Sequence, residues 1–329
     1  MVIYKHRNYA LPDAPDSVPT DSAAKIVRDI LTIGIPIATG ACIMALLNSV
    51  DSKLCMNRLQ SAAGYTYKEA KVLYGVYGKA QTLFNLPAAF ITPLTISIVP
   101  AISGALARGE RRDAAKVSED SMRISAFLAI PMGVGLAVLA EPIMTVLYPD
   151  SHEAGAGLLR VMGIASFFVC LVLMENAILQ ASGREKLTMA TLIAGGVIKI
   201  VVNWFLVARR DINIYGAPVG TLFSYCVMAA MDYLFMCRTL ENRPRLLRVF
   251  TSPLAASALM GLTAWAVYGL SQRLLLGQGR FGTLLAMCFA IAAAVIVYLA
   301  AAILFKAVTK EDMKLIPGGE KIARILRMR

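Results

Sequence analysis

Polar side chains sit at helical spacing inside an otherwise apolar part of this sequence. Gln81, Asn85, Ala88, Thr92 and Thr95 follow one another by steps of four and three, which puts them on one face of a helix. Pro87, Pro93 and Pro100 interrupt the same segment, so that helix is expected to be kinked or broken. A polar stripe on a bent helix suits the wall of a water-filled path. The same groups can serve as interhelical hydrogen-bonding glue, and the spacing leaves both readings open.

Charged residues in similar surroundings extend the candidate set. Asp51 closes an apolar run and is followed by Lys53 and Arg58. Its carboxylate could take up a coupling proton or Na⁺, or pair with one of those two bases. Arg58 and Lys79 make a basic rim suited to phosphate, because Arg offers a bidentate fork and Lys a point charge. Lys199 stands near the middle of a further apolar run, one turn before Asn203. A lysine at that depth needs an acid, a cavity or deprotonation. Glu175 and Asp232 are candidate partners, with a structural Glu175–Lys199 ion pair as the plainest reading. Arg160 is expected to snorkel toward an interface, and Glu141, just before Pro142, to mark a helix end.

These residues need elements to hold them, and composition says what those are. Of 329 residues, 57% are hydrophobic and 16% charged, and the mean hydropathy is +0.63. Soluble chains run near 45–50% apolar and about 25% charged. Disorder, a disulfide scaffold and a cytosolic enzyme are thereby excluded. A bilayer core about 30 Å thick needs roughly 20 mostly apolar residues per helix. About eight stretches qualify: 30–50, 75–103, 122–147, 157–181, 187–207, 216–236, 252–270 and 282–305. Alternation of strand period is absent, so the fold expected is all-α, a polytopic integral membrane protein.

The net charge of +12 would suggest nucleic acid in a soluble chain. Here it orients the spans, and no nucleic-acid partner is expected. About two thirds of the 33 Lys and Arg fall on one side when both termini are placed in the cytoplasm. Residues 1–29 read as a cytoplasmic linker, with Pro12, Pro15 and Pro19, leading into a short amphipathic helix capped by Asp21 or Ser22. They lack the apolar core of a cleaved signal peptide. Residues 306–329 read as a basic cytoplasmic tail, either a plain positive-inside anchor or a surface helix held by anionic lipids.

The chemistry of catalysis is missing. The sequence holds no Walker loop, no HExxH, no GxSxG and no close carboxylate pair. Its two histidines, His6 and His152, and six cysteines without a CxxC pair point to no metal and no cofactor. Most of the cysteines are expected to be buried free thiols.

Three segments carry a family resemblance: IGIPIATGACIMALLNSVDSKL, YGVYGKAQTLFNLPAAFITPLTISIVPAISGALARGE and ILQASGREKL. Together they resemble the bacterial polysaccharide flippases, in particular the stage V sporulation protein B-like and lipid II flippase-like branch. This branch belongs to the multidrug/oligosaccharidyl-lipid/polysaccharide exporter superfamily. The resemblance runs over about residues 22–305. It implies a bacterial cytoplasmic membrane protein that is no enzyme and that moves a lipid-linked anionic saccharide precursor by alternating access.

That family has fourteen spans, two six-helix lobes around a cavity and two further helices. The resemblance therefore implies a six-helix lobe at 30–240 and two accessory helices at 241–305, with the first lobe missing. The chain is then a truncated product, the partner of a second chain that supplies the first lobe, or a homodimer. In this frame Arg58 and Lys79 would engage a diphosphate, and Gln81, Asn85, Thr92 and Thr95 would line the path. Asp51, Glu175, Lys199, Asn203 and Asp232 would serve ion coupling or a salt bridge that changes with state. A cation-coupled multidrug exporter and a non-transporting scaffold are the alternatives.

Overall fold

The Ser22 hydroxyl accepts a hydrogen bond from the Lys25 amide at 3.3 Å and so caps the first helix. The computed structural model describes residues 22–240, 246–274 and 279–305. Most of the linker and the whole basic tail expected at the termini lie outside those residues. In place of a short helix followed by a span, α1 runs continuously over Ala23–Ser61. Residues Met1–Leu46 form one unit and Leu47–Arg329 another. Most side chains of the expected first span belong to the first unit and lie outside the described residues. All that follows concerns the second.

A capping box starts α2 (Tyr67–Phe84). The Thr66 amide donates to Glu69 Oε2 at 2.8 Å, and the Glu69 amide donates back to Thr66 Oγ1 at 3.4 Å. These bonds, the Thr66 backbone first, hold the Glu69 carboxyl below the usual carboxylate range. The segment expected as one span at 75–103 divides at Asn85, where α2 gives way to α3 (Leu86–Ala107). Pro87, in the first turn of α3, has no N–H with which to continue the ladder. Pro93 and Pro100 lie within α3 without ending it. A second expected span, 122–147, divides at Leu139 into α4 (Arg111–Val138) and α5 (Ala140–Leu147). Glu141 is in the first turn of α5, where its charge favours the helix N-terminus, and it pairs with Arg160 at 3.4 Å.

After a short 3-10 turn come α6 (His152–Ala181), α7 (Glu185–Leu206), α8 (Gly216–Thr239), α9 (Leu246–Leu274) and α10 (Gly279–Leu304). Among the described residues no strand occurs. Seven segments there are long and apolar enough to cross a membrane, and they correspond to the second through eighth expected spans.

The most enclosed of these segments is the one containing α6, with 61% of its apolar window buried against 17% for that of α7. Helices α2, α3, α4, α5 and α8 all pack on it. Its N-terminal half joins one apolar cluster through Leu158, Leu159, Met162 and Ala165, with Tyr77 and Ala217. Its other half joins a second cluster through Cys170, Met174 and Ile178, with Ile102, Met122 and Met228. Small residues let α4 and α6 cross closely: a Cβ on Gly163 would stand 2.7 Å from the Ala137 amide nitrogen, and one on Gly133 would stand 2.7 Å from the Gly163 carbonyl.

Helices α9 and α10 pair with each other and lie against α4 and α5. The Tyr298 hydroxyl fastens α10 by donating to the Phe127 carbonyl at 2.5 Å. The Arg280 guanidinium donates to the Val146 carbonyl at the end of α5, its Nε at 2.9 Å and its Nη2 closer still. All six cysteines are free, but only Cys55 and Cys170 are buried. Cys42, Cys226 and Cys288 lie on exposed faces, because an apolar face in a membrane can turn toward lipid as well as inward.

Candidate functional site

The polar residues gather into separate groups. The first joins α1 to α7. Lys199 Nζ lies 2.8 Å from Asp51 Oδ2, and Asn203 Nδ2 donates to Asp51 Oδ1 at 2.5 Å. Cys55, one turn after Asp51, brings its Sγ to 3.9 Å from the same oxygen and to 3.8 Å from Asn203 Nδ2. The side chains of Asp51 and Lys199 are only 6% and 15% exposed. The pairings drawn from sequence need correcting here: Lys199 meets Asp51, not Glu175 or Asp232, and Asp51 meets Lys199 rather than Lys53 or Arg58. The physical reason is adjacency. The one-turn spacings Asp51–Cys55 and Lys199–Asn203 put each pair on one helix face, and those faces meet.

Gly220 on α8 makes room for this group, since a Cβ there would stand 2.0 Å from Asn203 Oδ1. Beside it, Tyr77 Oη and Thr221 Oγ1 are hydrogen-bonded at 3.4 Å, and the rings of Tyr74 and Tyr77 lie 5.8 Å apart. Cys55, Tyr77 and Thr221 complete the surroundings and were not picked out from the sequence. The turn-long spacing from Asp51 to Cys55 is the only signal that could have included one of them.

The two bases of the expected rim are held apart by different partners. The Arg58 guanidinium carbon lies 3.1 Å from the centre of the Trp204 ring, a cation–π contact with α7. Lys79 Nζ donates to Ser151 Oγ at 2.8 Å and lies 5.4 Å from the Tyr148 ring centre. Along the polar stripe, Gln81 and Thr95 are half-buried while Asn85 and Thr92 are exposed. Thr92 and Thr95 turn their hydroxyl protons onto their own helix, to the carbonyls of Ala88 at 2.9 Å and Thr92 at 2.7 Å. These hydroxyls are left to offer lone pairs, and the amides of Gln81 and Asn85 supply the donors.

Glu175 on α6 and Asp232 on α8 stand apart from the Asp51–Lys199 group, and both are 0% exposed. Among the described residues no cluster of three or more His, Cys, Asp or Glu is placed to hold a metal.

Helical spans with buried ionic groups between them define a polytopic all-α membrane protein. Residues 70–290 match the family model of the lipid II flippase MurJ, and the chain belongs to that family. The family is named for a flippase, which is a transporter and not an enzyme. The chain is 25% identical over 305 residues to the uncharacterized membrane protein YabM of Bacillus subtilis, covering 93% of this chain and 56% of that one. It is 24% identical over 264 residues to the lipid II flippase MurJ of the same organism, covering 78% and 48%. Stage V sporulation protein B of Bacillus subtilis is 22% identical over 291 residues, covering 88% and 54%. The chain thus spans about half the length of these relatives.

Among solved structures, an outward-facing MATE family multidrug resistance transporter of the MOP superfamily superposes with a TM-score of 0.54. It has 17% identity, over 90% of this chain and 69% of that one. A MOP superfamily transporter from Pyrococcus furiosus gives 0.52 at 16% identity, with the same coverage. At this identity the likeness concerns the fold.

Proposed function

We propose that the chain is the transport lobe, with two accessory helices, of a flippase that moves a lipid-linked anionic saccharide precursor across a bacterial cytoplasmic membrane. The match of residues 70–290 to the lipid II flippase family carries this reading. In it, residues 30–240 form the six-helix lobe and α9 and α10 the accessory pair. Both termini lie in the cytoplasm, where the basic tail at 306–329 meets anionic lipid headgroups. A facing lobe completes the transporter, because alternating access needs two halves rocking about a shared site.

No bond is made or broken. The amides of Gln81 and Asn85 and the lone pairs of Thr92 and Thr95 line a hydrated wall for the saccharide. Arg58 and Lys79 take the diphosphate, and in doing so leave Trp204 and Ser151. Asp51, Lys199 and Asn203 form the coupling element. Placing a proton or a cation on Asp51 weakens its hold on Lys199 and loosens α1 from α7, so the pair changes with the transport state.

The test is lipid II translocation in proteoliposomes that hold this chain with its partner lobe. Arg58→Ala combined with Lys79→Ala is expected to lower the rate at least tenfold without loss of folded protein. Unchanged translocation by the double variant would remove the diphosphate role.

A further inference from the structure

We propose that Glu175 and Asp232 together form a proton-binding site in the seam between α6 and α8, separate from the Asp51–Lys199 pair. Both residues are fully enclosed, and all four carboxylate oxygens lack a hydrogen-bond partner. Glu175 lies on α6 and Asp232 on α8, two helices that pack on each other. Their surroundings are apolar, with Met174 and Ile178 from α6 and Met228 and Met236 from α8. Two bare carboxylates in such a place carry a desolvation cost and a mutual repulsion with nothing to offset either. A proton removes both at once. It cancels a charge and turns an acceptor-only carboxylate into a group that also donates, and carboxyls whose charges act on each other titrate as a unit.

Among the described residues, the charged and hydroxyl-bearing neighbours are engaged elsewhere or exposed. Thr191 on α7 lies beside Asp232, yet its hydroxyl donates to the Thr188 carbonyl at 3.0 Å. Thr188 donates to the Glu185 carbonyl at 2.7 Å. Cys237, on α8, is the further titratable group near Glu175, and its thiol is a weak donor. On α4, Arg123 pairs with Asp120 at 3.4 Å, Lys116 is exposed and has an interaction of its own, and Glu119 adds only negative charge. Beyond α3, Arg108 pairs with Glu110 at 2.7 Å. The charged residues that open α7, Glu185 and Lys186, are exposed, as is Arg238 near the end of α8, and Lys199 is held by Asp51. Hard cations such as Ca²⁺ and Mg²⁺ take six or more oxygen ligands, and the two carboxylates supply four at most. Thr191 and Lys199 are eight residues apart on α7, roughly 12 Å along the helix, so the two ionic groups occupy different levels.

The experiment uses the full chain in lipid nanodiscs and involves no transport, so its outcome is independent of the flippase reading. Infrared spectra of the wild type at neutral pH are expected to contain a protonated-carboxyl band that fades on raising the pH. Glu175→Gln with Asp232→Asn should abolish this band. Each single variant should weaken or shift it, which keeps the test decisive if the double variant folds poorly. Because the amides imitate the protonated form, the variants should melt within a few degrees of wild type at neutral pH and lose less stability at alkaline pH. The proposal is overturned if no such band is present at neutral pH, with or without added sodium. A band that the substitutions leave unchanged would overturn it equally.

Discussion

Asp51 and Lys199 approach to 2.8 Å across the junction of α1 and α7, a contact between residues about 150 positions apart in the sequence. The carboxylate is satisfied on both oxygens, by Lys199 on one and Asn203 on the other. A buried pair of this kind gains little overall but penalises the loss of either member heavily, because the survivor is left as an isolated charge.

Asp51→Asn and Lys199→Met, taken singly, should therefore each cost about 3–5 kcal/mol. The combined variant, which leaves no orphaned charge, should recover most of that loss. Thermal unfolding in detergent of the four proteins in the cycle measures the coupling. Additive losses would mean that the pair is already separated in the folded protein.

Gly220→Ala should displace Asn203, whose side-chain oxygen lies where the new Cβ would go. A loss of about 1–3 kcal/mol is expected from the overpacking. Asn203→Ala added to Gly220→Ala should relieve the clash, so the double variant should melt higher than Gly220→Ala alone. A double variant no more stable than Gly220→Ala would place the strain elsewhere.

The capping box predicts a dependence on pH. The folded protein holds the Glu69 carboxyl below its ordinary range, so its contribution to stability is present above the unfolded value and is lost as the pH falls through the folded one. Thr66→Ala removes the hydroxyl but keeps the backbone bond, and should reduce this acid-side slope without abolishing it. Melting temperatures between pH 6 and pH 3, read for both proteins, test this; identical slopes would contradict it.

The spans were legible because the bilayer imposes a length and a polarity that side-chain detail cannot hide. The break before Pro87 was legible too, since a missing N–H is written in the residue itself. The continuation of α3 through Pro93 and Pro100 was not, because neighbouring helices can hold a helix together around a proline. A lysine at the depth of Lys199 calls for an acid, a cavity or deprotonation, and of these the structure has an acid, Asp51 in place of Glu175 or Asp232. Depth in the membrane could be guessed from position along each span, whereas the juxtaposition of α1 and α7 depends on packing between residues about 150 apart. The polar stripe from Gln81 to Thr95 was in register from the start. The inward turn of its two hydroxyls onto their own backbone could not be read from spacing.

Helix α6 belongs to both apolar clusters, with Met162 in one and Met174 in the other. Cys55, beside Asp51, belongs to the first, and Met174 and Met236, neighbours of Glu175 and Asp232 along their own helices, belong to the second. A single rod that runs through two storeys behaves as a lever. Rotating it to suit one storey displaces side chains in the other, and the close crossing at Gly133 and Gly163 is positioned to act as the fulcrum. Bulk added at that crossing should therefore stiffen both ends together, so that neither ionic group could rearrange alone.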